Sequence, residues 1–173
     1  MISPSTMHVG LQLVACSLVA GCATVHEDRF PALISMVGSQ QGAATFIAQS
    51  TQWHQLHLVL QRGALSFPQV LCLLGGTLKK GDPCQDGEQP IGVKWAIYSI
   101  GEMKQVSSGW SSPSMSDPSQ FYYTDEWASR NMGGFVPVKG MTYEVRVEIP
   151  SHTSKEDRAK PTVLVRVPTP NAW

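Results

Sequence analysis

Apolar residues recur at every second position through much of this chain. Leu56, Leu58 and Leu60 alternate with His57, Val59 and Gln61, and Val93, Trp95 and Ile97 alternate with Lys94, Ala96 and Tyr98. Tyr143, Val145, Val147 and Ile149 alternate with Thr142, Glu144, Arg146 and Glu148. Val163, Val165 and Val167 alternate with Thr162, Leu164 and Arg166. A period of two sends successive side chains to opposite faces, so these runs predict strands with one face on a core and one toward water. No stretch after residue 41 keeps a 3.6-residue period for a dozen positions; only Asp125 to Asn131 could form a helical turn. Turn formers separate the runs, at Gly75-Gly76, Gly81-Asp82-Pro83, Gly87, Pro90, Gly133-Gly134 and Gly140. The pattern predicts one all-β domain over residues 42–173, an antiparallel β-sandwich, with a small closed barrel as the alternative.

The first two dozen residues break this pattern. Val9 to Ala20 is an apolar run interrupted only by Gln12 and Ser17. It is too short to span a bilayer as a helix, which takes roughly 20 residues, and it has the length of a signal-peptide core. Residues 1–21 are read as a signal peptide and 22–41 as a tether. Leu18-Val19-Ala20-Gly21-Cys22 resembles a lipobox, and the resemblance implies cleavage before Cys22 and lipidation of its thiol. The first basic side chain is Arg29, so the usual charged n-region is missing. Met7 is an alternative start, and Leu13-Val14-Ala15-Cys16 is a second lipobox match behind a shorter apolar run. A plain secretory signal or an N-terminal core helix are the competing readings. Ala23, rather than Asp, follows Cys22; by the enteric sorting pattern this implies an outer-membrane lipoprotein whose body faces the periplasm. Acyl chains hold such a protein firmly, at about 0.8 kcal/mol per buried methylene.

Charge removes one class of partner. Thirteen basic and 13 acidic residues balance, and neither sign clusters, so the basic face that grips nucleic acid is missing. With Cys16 leaving in the signal and Cys22 acylated, Cys72 and Cys84 are left. An even pair in an oxidising compartment predicts a disulfide, which would contribute roughly 3 kcal/mol in the chain-entropy picture. Two buried free thiols are the alternative. A metal centre there would need more ligands than Asp82 and Asp86 supply.

Candidate chemistry is sparse. His54 and His57 would share a face on a helix, but on a strand their spacing sends them to opposite faces, which argues against a joint zinc site. His26 falls in the tether and His152 in the polar loop Ser151 to Lys160. There is no G-x-S-x-G elbow and no strand-to-helix phosphate loop, and Gly133-Gly134 reads as a bulge or turn. The reading is therefore of a non-enzyme, with no catalytic residue, metal or cofactor assigned. More informative is Ser107 to Trp127, a Pro-punctuated polar stretch carrying Trp110, Phe121, Tyr122, Tyr123 and Trp127 beside Asp125 and Glu126. Aromatic rings dominate interface hot spots, and loops on a rigid scaffold carry binding. Trp110, Tyr122, Asp125, Glu126 and Trp127 are the candidate contact residues for a protein partner. The competing reading sends Phe121 and Tyr123 into the core and leaves the loop as filler.

Phe135 to Tyr143 enters the strongest strand through Gly140, with Tyr143 just past the turn. This is the arrangement of a tyrosine corner, unless Tyr143 is simply an aromatic core residue. Together with Val93-Lys94-Trp95-Ala96-Ile97, Val138 to Val145 and Pro161-Thr162-Val163-Leu164-Val165, the chain resembles a group of poorly characterised proteobacterial lipoproteins. That resemblance implies a single immunoglobulin-like sandwich and an envelope location, and it transfers no catalytic residue. Small lipoproteins of this kind include immunity proteins that neutralise secretion-system toxins. The expectation is a lipid-anchored, periplasm-facing binding module of that type, with a structural or assembly lipoprotein pairing through a sheet edge as the alternative.

Overall fold

The computed structural model describes residues 30–76, 89–111, 121–150 and 156–168. The expected signal peptide, Cys22, Cys84, His26 and His152 lie outside the described residues. Among the described residues, nine strands form two antiparallel sheets. β1 (Ala32–Ser35), β9 (Thr162–Arg166), β3 (His54–Gln61), β7 (Trp127–Phe135) and β6 (Phe121–Tyr123) lie side by side in that order. β2 (Gln41–Ile47), β8 (Thr142–Glu148), β4 (Val93–Ser99) and β5 (Lys104–Ser111) make the second sheet. The predicted all-β sandwich is what the chain forms. Its six central strands have the neighbours of an immunoglobulin sandwich: β3, β7 and β6 stand as B, E and D, and β4, β5 and β8 as C, C′ and F. The flanking places are exchanged relative to that fold, because the late strand β9 lies beside β3 and the early strand β2 beside β8.

The alternating runs fill the space between the sheets. Leu56, Leu58, Leu60, Ile97, Val145, Val163 and Val165 are fully buried. Trp95, on the C-like strand, lies across the sandwich with its indole N–H donating to the Met132 carbonyl at 3.2 Å. Gly109 and Gly133 make room for it, since a Cβ on either would come within 2.5 and 2.7 Å of its ring. Tyr143 does form the corner: its hydroxyl accepts the Val138 N–H at 2.9 Å across the turn at Gly140, whose φ of +84° suits glycine.

Three expectations change. The lead-in is folded well before residue 41. Ala32–Ser35 pairs with β9, and Ile34 and Met36 are buried in the core, so this part of the expected 22–41 tether belongs to the sandwich. The stretch from Asp125 is not helical: β7 begins at Trp127, because Trp127 to Ala128 pairs with Leu60 to Gln61. The one α-helix among the described residues, α1 (Phe67–Leu73), lies instead where no helix is expected. Ser66 and Gln69 form a capping box at its start, with Pro68 in its first turn, and Val70, Leu73 and Leu74 enter the core. Seven residues cannot display a helical period, but the Ser-x-x-Gln spacing is a start signal.

One buried cation ties α1 down. Arg130, on the core side of β7, is fully buried and donates to the carbonyls of Leu74 and Ile91, the latter at 2.9 Å. Burial lowers its pKa to about 10, and its charge meets the carbonyl-rich end of α1, where a cation is favoured. Cys72, on the same helix, is buried and disulfide-bonded; Cys84, its expected partner, lies outside the described residues.

Candidate functional site

The tight turn between β6 and β7 is built by Thr124. Its hydroxyl accepts the N–H groups of Glu126 and Trp127, both at 3.2 Å, while its own N–H donates to the Trp127 carbonyl at 2.8 Å. A threonine hydroxyl that takes up neighbouring N–H groups fixes a turn without constraining the side chains between. Asp125 and Glu126 therefore project freely, and neither carboxylate is ion-paired among the described residues. The Arg62 N–H donates to the Glu126 carbonyl at 2.8 Å, which docks the chain after β3 onto this turn. Gln61, Arg62, Gly63, Asp125, Glu126 and Trp127 then line a depression of about 540 Å³. The buried Nε of Arg62 has no hydrogen-bond partner among the described residues. Beside the depression, the Phe67 and Tyr123 rings meet edge to face at 5.3 Å, and Tyr123 is 66% exposed.

The structure gathers part of the predicted contact set and separates the rest. Asp125, Glu126 and Trp127 sit together on the depression. Tyr122 pairs with Ser129 in register and shares the outer sheet face with Trp127, one row further along. Its ring lies 5.6 Å from that of His57, with the Arg166 guanidinium 5.8 Å above it. Trp110 belongs elsewhere. It sits on β5, in the other sheet, opposite Lys94, where its half-exposed indole covers Gly92. Residues 104–111 and 121–123 are strands, so the stretch is not one long loop; residues 112–120 lie outside the described residues. Phe121 packs against the core, whereas Tyr123 does not.

Sequence reasoning missed participants at two places. Arg62 and Gly63 close the depression from the end of β3; an Arg-Gly directly after a strand is the signal that was there to find. His57 is the other. It is on the outer face, opposite to His54 as the strand period requires, yet it is buried beneath Tyr122. Its Nε2 lies 3.1 Å from Gln55 Oε1 and its Nδ1 3.5 Å from the Ser129 hydroxyl. Burial first, and the nearby Arg166 charge second, lower its pKa to about 4, so the ring is neutral near pH 7. The contact with Ser129 is long, and the third group is an amide rather than a carboxylate. Gln55 and Ser129 thus hold the His57 ring against that of Tyr122. No protein-family model and no curated protein matches this chain.

Proposed function

We propose that this chain is a lipid-anchored binding module of the cell envelope that faces the periplasm and captures a protein partner. Neutralisation of a secretion-system toxin is its most concrete form. The supporting observation is the depression at the β6–β7 turn. It combines two unpaired carboxylates, an arginine with an unused donor, and the edges of Trp127 and Tyr123 on a preformed turn. Preformed loops bind with a smaller ordering cost, and carboxylates beside aromatic rings suit a basic segment of a partner. A toxin encoded beside the gene and directed to the periplasm tests the reading. Co-expression of this chain should restore growth, and Asp125→Lys with Glu126→Lys should abolish protection while leaving the melting temperature unchanged. Growth arrest that the unaltered chain does not relieve, with no complex in solution, would exclude toxin neutralisation.

A second reading, assembly through a sheet edge, has its own support. β5 is eight residues long and pairs only with β4 among the described strands, which leaves one side of its backbone available for an added strand. Under this reading a proline at an outward-facing N–H of β5, and not charge reversal at the turn, would disrupt assembly.

A further inference from the structure

The two ends of the sandwich differ in kind. Ile47, the last residue of β2, and Trp53, Ile100, Met103, Val136 and Val138 on the connections lie at one end, and they are half of the large exposed hydrophobic residues among those described. Those connections are stitched into a single tip. The Ala48 N–H donates to the Met141 carbonyl and Gly140 N–H to the Ala48 carbonyl, while Ile100 N–H reaches the Thr142 carbonyl. Beneath the tip lies a rigid floor in which His54 stacks on Phe46 at 5.8 Å and Phe135 meets Tyr143 edge to face at 5.0 Å. Met103 is 93% exposed, and Val136 and Val138 are each 63% exposed. Apolar groups displayed this fully on loop ends mark a contact surface.

The chain also enters the fold at this end. Ala32 pairs with Val165, and Val165 pairs with Leu56, so Phe30 stands level with His54 at the base of the tip. Cys22 precedes Phe30 by eight peptide steps, which reach at most about 28 Å when fully extended. A lipid on Cys22 would hold the apolar tip against the bilayer, with the charged depression turned away. The charged residues described around the tip fit such a surface: Lys104 and Lys139 are exposed there, with Glu102 the one acid there among the described residues. Lysine stems lie along acyl chains while the ammonium reaches phosphate oxygens, and a half-exposed tryptophan is at home in the interfacial layer.

We infer that the tip formed by Trp53, Val136, Val138, Ile47, Ile100 and Met103 inserts into the interfacial layer of a phospholipid bilayer. This inference rests on the anchored reading of Cys22. The inserted rings and aliphatic chains orient the sandwich, so that the β6–β7 turn points into the periplasm at the far end of strands about 25 Å long. The full chain, purified from cells and reconstituted into phosphatidylethanolamine–phosphatidylglycerol vesicles with a brominated lipid, tests it through tryptophan fluorescence. Quenching should fall markedly in Trp53→Phe and stay unchanged in Trp127→Phe. Val136→Asp with Val138→Asp, which leaves every tryptophan in place, should remove the same component, and matched thermal melts would show the fold intact. Equal quenching in all four proteins would overturn the insertion, and so would loss of the Trp127 component instead. Mass analysis of the N-terminal peptide separates this outcome from failure of the anchor. An unmodified Cys22 removes the anchored reading whatever Trp53 reports, whereas an acylated Cys22 with unquenched Trp53 removes the insertion alone.

Discussion

The apolar tip and the charged turn sit at opposite ends of the same strands, and they are built by opposite means. At the tip, aromatic rings stack into a floor and a tyrosine hydroxyl takes the place of a missing strand partner. At the charged end, one threonine hydroxyl and one buried arginine fix the backbone, and the acidic side chains stay unengaged. The first strategy removes polar groups from water by packing. The second satisfies backbone polar groups from side chains and leaves the surface free to meet another molecule. Exposure has different causes at the two ends: apolar side chains are displayed at one, and carboxylates without an ion pair among the described residues at the other.

The largest expected effect tests what supports the charged end. Arg130→Met should lower stability by about 2–4 kcal/mol, because the Leu74 and Ile91 carbonyls lose their donors while staying buried. Hydrogen exchange should accelerate first in α1. If exchange instead rises uniformly across both sheets, the arginine supports the whole core and the two ends are coupled.

The next effect concerns the face between the ends. His57 is uncharged in the folded chain down to about pH 4, whereas an unfolded histidine protonates near its ordinary value of about 6.5. The unfolded chain therefore binds the extra proton first. Stability is fully present above pH 6.5 and declines as pH falls toward 4, by on the order of 2–3 kcal/mol from this ring. His54, lowered by its own burial against the opposing pull of the Gln52 carbonyl, acts in the same direction. His57→Gln should flatten the pH dependence of urea midpoints over this window without abolishing it, and an unchanged slope would show that the ring protonates in place. The smallest effect sharpens the picture of the tip. Tyr143→Phe should cost about 1 kcal/mol through the lost bond from Val138, and hydrogen exchange should rise at Val138 but not at the β6–β7 turn.

Long alternating runs were legible in the sequence because both faces of a strand are recorded in them. β3, β4, β8 and β9 are all of this kind. β1 escaped notice because four residues hold only two core positions, Ala32 and Ile34. β5 escaped because an edge strand with Gly109 opposite Trp95 needs no large inward residue. The candidate site was half legible for the same reason. Asp125, Glu126 and Trp127 are neighbours in sequence and so neighbours on the turn. Trp110 is close to them in sequence but lies in the other sheet, and Arg62 is distant in sequence but lies beside them.

Trp95 and the two glycines facing it have a consequence for how this chain can diverge. Its indole occupies the volume that side chains at 109 and 133 would need, and position 133 also has a φ of +128°. Three positions from three strands are thereby bound into one unit of variation. A homologue with alanine at 109 should carry a smaller residue at 95, and one that keeps the tryptophan should keep both glycines. That triplet is a signature by which distant kin of this chain could be searched for, independent of its surface and of whatever it binds.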